Sequence, residues 1–366
     1  MMINKLSAAS LITLFLTVFL LLIGWSILYS AANGHQDEWA NKQLYTSSIV
    51  LIVNLMIAFI HTKYFFKFTY YFFAVCILLL VTAEFIGHTA MGAQRWVKVG
   101  NITIQPSELT KIGIILTLAR IFSQMNLQKI AKMQFLLIPL LVVMIPVLII
   151  LKQPNLGTSA IIILIAGAMF FVVGVQTWKF IAVIISCIAS TPIIWNFLHD
   201  YQKKRVMTFL NPEDDVLGAG YNIMQSKIAI GSGGWNGKGL MQGTQVQLSF
   251  LPEKHTDFVF TILAEEYGFS GVILCLIIYL LLIYTIYFIA LRVKNNYSKF
   301  ICIGVASMLF FHVFINIGMV SGLLPVVGTP LPLLSYGRSN LVTTLIGIGL
   351  VLNADINRKL TQIKLQ

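Results

Sequence analysis

Apolar stretches long enough to cross a bilayer as helices recur along the whole chain, and no other feature restricts the fold as tightly. Spanning the hydrocarbon core takes about 20 apolar residues. The pattern predicts ten such spans, at 7–31, 46–62, 68–88, 106–123, 134–151, 156–174, 178–198, 269–291, 299–321 and 338–354. Only 10% of the residues are charged, against about 25% for a soluble domain. The expected fold is an all-α polytopic membrane protein, one transmembrane domain over 1–366. The first apolar run is long for a signal peptide and reads as a retained helix.

The charges between the spans test this topology. With the N-terminus in the cytoplasm, the cytoplasmic segments hold 13 basic residues against one acid, Asp355. The exterior half holds 12 of each. Every cytoplasmic loop is then basic, as the positive-inside rule requires, and both termini are cytoplasmic. The net charge of +12 is therefore spread among membrane loops and not gathered into a nucleic-acid-binding domain. Cys76, Cys187, Cys275 and Cys302 all lie in apolar stretches without motif spacing, which indicates neither a disulfide nor a zinc site.

One connection is long. Residues 199–256 form an exterior loop with its own short amphipathic stretch around 221–230, and long structured connections are usually functional. The apolar segment that follows, 258–291, is too long for one span and is interrupted at Glu265, Glu266 and Gly268. A short interfacial or re-entrant helix over 257–267 is expected before the true span.

Charged groups at bilayer depth are costly, so each needs a reason. Pro106 suits the first position of the fourth span, and Glu108 follows in its first turn, where the helix dipole favours an anion. Lys111 lies three residues on, on the same face. The pair reads either as an interfacial salt bridge or as a polarised pair facing a cavity. Asp257 stands at the edge of Phe258-Val259-Phe260, where partial desolvation would raise its pKa toward that of a general base. A helix cap is the plainer alternative. His255 is a rival base, though a surface histidine is the simpler reading, and Glu265 and Glu266 read as solvated interfacial acids.

The run Gly231-Ser232-Gly233-Gly234-Trp235-Asn236-Gly237-Lys238-Gly239 lacks a Walker-type ending and reads as a flexible turn. Pro325, Pro330 and Pro332 with Ser335 to Arg338 mark a second irregular exterior segment. Arg95 and Lys98 add cations on that side, and Asn155 reads as a helix cap. The carboxylates Glu84, Glu108, Asp257, Glu265 and Glu266 all fall on the exterior side. A proton-coupled pump needs such groups near the midplane or on both sides of it, so this pattern suits chemistry at one face.

At these residues the chain resembles the SEDS family (shape, elongation, division and sporulation). The matching stretches include Arg95-Trp96, Gln105-Pro106-Ser107-Glu108 with Lys111, and Gln153-Pro154 with Leu156-Gly157-Thr158-Ser159. Further on they include Arg205 through Pro212, Gly218 to Tyr221, Gln225 to Gly234, Leu251-Pro252-Glu253 with His255-Thr256-Asp257-Phe258, and Pro330-Leu331-Pro332 with Ser335-Tyr336-Gly337. Gly237-Lys238-Gly239 and Gly243-Thr244-Gln245 favour the elongation branch over the division branch.

The resemblance implies a peptidoglycan glycosyltransferase of the bacterial cytoplasmic membrane. Such an enzyme polymerises lipid II, a disaccharide-pentapeptide on undecaprenyl pyrophosphate, with a class B penicillin-binding protein transpeptidase and other elongation-complex membrane proteins as partners. It implies Asp257 as the essential aspartate, with Glu108 and Lys111 as its supporting pair. Arg95, Arg205, Gln225, Ser226, Lys238, His255, Thr256, Ser335 and Tyr336 are the residues it suggests for substrate binding. Positive charge for the leaving pyrophosphate would come from Arg205, Lys111 or a divalent cation, magnesium or manganese. Asn155 and Arg338 depart from the family pattern, which has Asp and Gly at those positions. A lipid II flippase and a non-enzymatic scaffold are the rival readings.

Overall fold

The computed structural model describes residues 6–35, 39–86, 88–90, 93–100, 102–126, 132–197, 200–215, 218–247 and 254–359. Among the described residues, ten long helices overlap the predicted spans: α1 Ala8–Ala31, α2 Ala40–Phe59, α3 Thr62–Ile86, α4 Pro106–Ser123, α5 Met133–Lys152, α6 Leu156–Val173, α7 Thr177–Phe197, α11 Val259–Arg292, α12 Asn296–Val320 and α13 Arg338–Ile356. Three shorter ones, α8 Asp200–Leu210, α9 Ala219–Ser232 and α10 Thr244–Gln247, lie in the long connection. Among the described residues, eight of the long helices are long and apolar enough to cross a membrane. The other two are α4, which carries Glu108, Lys111 and Arg120, and α7, whose described apolar part runs Thr177–Ile193.

The middle of the bundle is α12, packed against α4, α6, α11 and α13, while α13 also lies along α2. In lipid the hydrophobic effect does not drive helices together, so small residues at the crossings decide how closely they pack. A side chain on Gly304 of α12 would come within 2.6 Å of Ile115 of α4, so this central crossing requires its glycine. In contrast, α7 is exposed along nearly all its described length.

The segment after the long loop is divided as its length required. Backbone angles turn non-helical at Gly268 (φ 66°, ψ −165°), a region essentially confined to glycine. The break frees the N–H groups of Phe269 and Ser270, which donate to the carbonyls of Gly234 (2.9 Å) and Trp235 (3.1 Å) in the glycine-rich turn. Lys238 and Gly239 return the contact, donating from their backbone N–H to Glu265 O (3.0 Å) and Glu266 O (2.9 Å). A Cβ on Gly237 would sit 2.1 Å from Glu266 O. The expected flexible turn is thus an ordered splice to the kinked helix, and its glycines serve close approach of two backbones.

Three further features were not read from the sequence. The connection between α3 and α4 holds a small antiparallel sheet of β1 His88–Ala90, β2 Ala93–Val99 and β3 Ile102–Ile104. Its second hairpin pairs Val97 with Ile104 and Val99 with Ile102 across a two-position connection that includes a glycine, the short-range hairpin signal. The proline-rich segment turns into the bundle. Leu331, Leu333 and Leu334 are buried, and their neighbourhood's carbonyls are satisfied from the bundle by Gln43 of α2 and Tyr279 of α11. Irregular backbone is tolerated at that depth because protein donors replace water. Finally, Asp355 lies in the last turn of α13 and not in a loop, at 1% exposure. It accepts from Ser7 and Ser10 of α1 and pairs with Arg358 at 3.2 Å.

Candidate active site

Glu108 enters the core because Pro106 starts α4 at the bundle's edge and the next turn faces inward. Lys111 is 1% exposed, and its ammonium donates to Glu108 Oε2 at 2.7 Å. Asn340 of α13 donates to the same oxygen at 3.1 Å. On the other side, Lys111 Nζ lies 2.7 Å from Nε2 of His312 on α12. The pair is therefore buried, against the reading of a snorkelling interfacial bridge. An ammonium has three donors, and Glu108 and His312 take two of them.

Asp257 lies just before α11 and is half-buried. Its carbonyl accepts from Asn316 Nδ2 of α12 at 2.8 Å, and the same amide donates to Thr329 O at 2.7 Å. A Cβ on Gly328 would meet Asp257 Oδ2 at 3.2 Å, so the carboxylate rests against the proline-rich segment where it turns inward. Asn316 is one helical turn from His312. The same face of α12 therefore carries both the Lys111 contact and the Asp257 contact, which brings the predicted carboxylate and cation to one end of the bundle.

The residues around Asp257 are fixed in place. His255 stacks on Trp39 (centroids 4.3 Å apart, planes within 6°) and accepts the Tyr336 N–H at its carbonyl (2.9 Å). Thr256 and Tyr336 are half-buried beside it. Ser335 is 4% exposed and accepts from Leu331 N–H at 2.8 Å, so its hydroxyl closes the local turn.

Several predicted substrate contacts do structural work. Ser226 is fully buried; its hydroxyl donates to Val320 O (2.8 Å) and shares a 2.7 Å hydrogen bond with Thr261. Arg95 donates to the carbonyls of Gln153 (2.9 Å) and Pro154, tying the sheet to the α5–α6 turn. Lys238 pairs with Glu265 at 2.7 Å and donates to Thr244 at 2.9 Å. Glu265 and Glu266, expected as solvated acids, are 0% and 1% exposed. Glu265 holds the turn through Lys238, and Glu266 accepts from Ser30 and from Met241 N–H (3.1 Å). A close approach to phosphate by this turn is blocked where its backbone donors are already used. Arg205 and Gln225 are half-buried on α8 and α9. Asn155 caps α6 by accepting from Thr158 N–H at 3.3 Å, as expected. The motif residues 251–253 lie outside the described residues.

Among the described residues, no group of three or more His, Cys, Asp or Glu side chains converges to hold a metal ion. A magnesium or manganese ion would need substrate phosphates to complete its ligands. Sequence reasoning missed His312, Asn316 and Asn340. The available signal was spacing: two polar residues four apart inside an apolar span share a face and need partners there.

A family model described as cell cycle protein (FtsW, RodA, SpoVE) matches residues 5–360. The chain belongs to this SEDS family. Among curated members, peptidoglycan glycosyltransferase MrdB of Escherichia coli is 42% identical over 352 residues, covering 96% of this chain and 93% of that protein. Stage V sporulation protein E of Bacillus subtilis is 35% identical, covering 97% and 99%. The family fold recurs in a solved structure on the coordination of polymerization and crosslinking by a peptidoglycan synthase complex (TM-score 0.81, 30% identity, covering 95% of this chain and 97% of that one). It also recurs in the crystal structure of the Thermus thermophilus rod shape determining protein RodA (TM-score 0.69, 29% identity, covering 95% and 97%). The chain is a multi-pass membrane member of the family.

Proposed function

We propose that the chain is a peptidoglycan glycosyltransferase that polymerises lipid II at the outer face of the bacterial cytoplasmic membrane, as a single domain over 1–366 with both termini cytoplasmic. The observation that carries this reading is the convergence of Asp257 with the buried Glu108–Lys111 pair on one face of α12. Its likeness to MrdB over 96% of the chain supports the activity. Its likeness to a synthase complex that couples polymerization to crosslinking supports a class B penicillin-binding protein as partner.

In this mechanism Asp257 takes the proton of the acceptor sugar hydroxyl. The hydroxyl oxygen attacks the donor's anomeric carbon as the bond to the pyrophosphate oxygen breaks, and undecaprenyl pyrophosphate leaves. Lys111, enclosed at 1% exposure, supplies fixed positive charge behind the site and does not touch the phosphates directly. Glu108 and Asn340 hold that ammonium in register. Dry surroundings strengthen each of these interactions.

Asp257→Ala, purified with its partner, is expected to fold and bind lipid II yet make no glycan strands. Glycan synthesis by that variant refutes the assignment. Supplying lipid II to one leaflet of proteoliposomes separates the activities, since transbilayer movement without polymerisation by the wild type would mark a flippase.

A further inference from the structure

We propose that His312 and Asn316 are positioning residues, and that together they set the separation between the Lys111 ammonium and the Asp257 carboxylate. The proposal rests on the glycosyltransferase reading above and deepens it. Both side chains lie inside an apolar span, at 2% and 0% exposure. Polar groups persist in such places only where they do something that an apolar residue cannot.

Their hydrogen bonds show what that is. Both amide N–H groups of Asn316 are used, one on Asp257 O (2.8 Å) and one on Thr329 O (2.7 Å). Its own carbonyl oxygen is buried with no partner among the described residues. The residue is therefore held for its donors. A leucine would fill the same space and satisfy neither backbone carbonyl.

His312 works on the cation. An ammonium has no lone pair, so at 2.7 Å Nε2 must be the acceptor and Lys111 the donor. The ring proton then sits on Nδ1, which is buried without a hydrogen-bond partner among the described residues. His312 and Asn316 thus hold, respectively, a cation and a carboxylate-bearing backbone, and Asn316 also steadies Thr329 in the inward-turning segment. Side chains four apart on a helix have Cβ atoms about 5–6 Å apart, so the helix itself fixes the spacing. The arrangement also explains why a lysine so fully enclosed stays aimed: Glu108 alone would leave its ammonium free to swing about one contact.

The test compares kcat and KM for lipid II in the full chain complexed with its class B penicillin-binding protein. The variants are His312→Leu, His312→Gln and Asn316→Leu. A misplacement of about 1 Å costs about 10²-fold in rate, so each leucine variant is expected to lose about 10²-fold in kcat with KM nearly unchanged. The glutamine amide oxygen can still accept from Lys111, so His312→Gln is expected to recover at least about tenfold over His312→Leu. Both leucine variants leave buried polar groups unpaired, so they are expected to melt below wild type yet stay folded at the assay temperature, with His312→Gln nearer wild type.

Leucine variants that keep wild-type kcat overturn the proposal. So does a glutamine variant no faster than leucine, a loss confined to KM, or failure of all three to fold, which would make the role one of stability alone. If only His312→Leu fails to fold, Asn316→Leu and His312→Gln decide by the same kcat criterion. A wild-type complex that makes no glycan refutes the glycosyltransferase reading and this proposal with it. A wild type that polymerises while the leucine variants match it refutes the positioning role alone.

Discussion

Replacing Gly268 by alanine attacks the splice between the glycine-rich turn and the kinked helix at its tightest point. The added Cβ would lie 2.2 Å from Gly237 N and 2.7 Å from Trp235 O, and both are backbone atoms that cannot rotate away. The backbone angles at 268 also sit in a region where a side chain costs on the order of 1–3 kcal/mol. Relief requires the turn to lift off, which sacrifices the four backbone hydrogen bonds from Lys238, Gly239, Phe269 and Ser270. At about 1 kcal/mol net each, their loss costs about 4 kcal/mol. That is a large share of a net stability on the order of 5–15 kcal/mol. Opening of the turn frees Lys238, whose side chain is otherwise held by Glu265. Limited trypsin digestion read by mass spectrometry is therefore expected to cut after Lys238 in Gly268→Ala and not in wild type. Gly167→Ala is the control, since nothing lies within 4 Å of its Cβ position in α6, and it is expected to leave both stability and cleavage unchanged. A Gly268→Ala protein that melts with wild type and resists trypsin at Lys238 refutes the interlock.

Two further outcomes follow from the polar groups. Asp355→Ala strips the acceptor from Ser7, Ser10 and Arg358 at the far end of the bundle, and is expected to cost about 3 kcal/mol, read as an early thermal transition in detergent, with Asp355→Asn falling between. Burial works to raise the pKa of Asp215, but the Gly220 N–H, Lys204 and Thr208 outweigh it and hold the value below the ordinary 3.8. A folded-state pKa below the unfolded one gives stability that is present above pH 3.8 and lost as pH falls through the folded value. Hydrogen-exchange protection, corrected for the intrinsic rate at each pH, is thus expected to hold over 200–215 at pH 5 and to fall only below about pH 4. Loss of protection at pH 5 would contradict this.

The bundle was legible because hydrocarbon sets a length, and apolar length is a property of composition along the chain. Asp257 and the Glu108–Lys111 pair were legible for a related reason: a charge beside apolar neighbours announces its own cost. Glu265 and Glu266 carried the same signal and were misread. Their partners, Lys238 and Ser30, are distant in sequence, and nothing local says that a glycine-rich turn will cover them. His312 and Asn316 were hidden because an uncharged polar residue raises a weaker alarm in a span, and their partners come from α4 and from the residues flanking α11 and α12. The small sheet was lost under the attention given to apolar runs, although its glycine-containing hairpin connection was plain in the sequence.

The clasp of Ser7 and Ser10 on Asp355 joins positions 348 and 345 residues apart. A nascent chain emerges from its N-terminus, so the first helix enters the membrane long before its acceptor exists. Until α13 is made, two hydroxyls at the start of α1 and one edge of α2 have no protein to meet. That clasp can therefore close only after α13 has been made. A polypeptide cut short before residue 338 would insert its earlier helices yet stay unsealed, a natural substrate for membrane quality control.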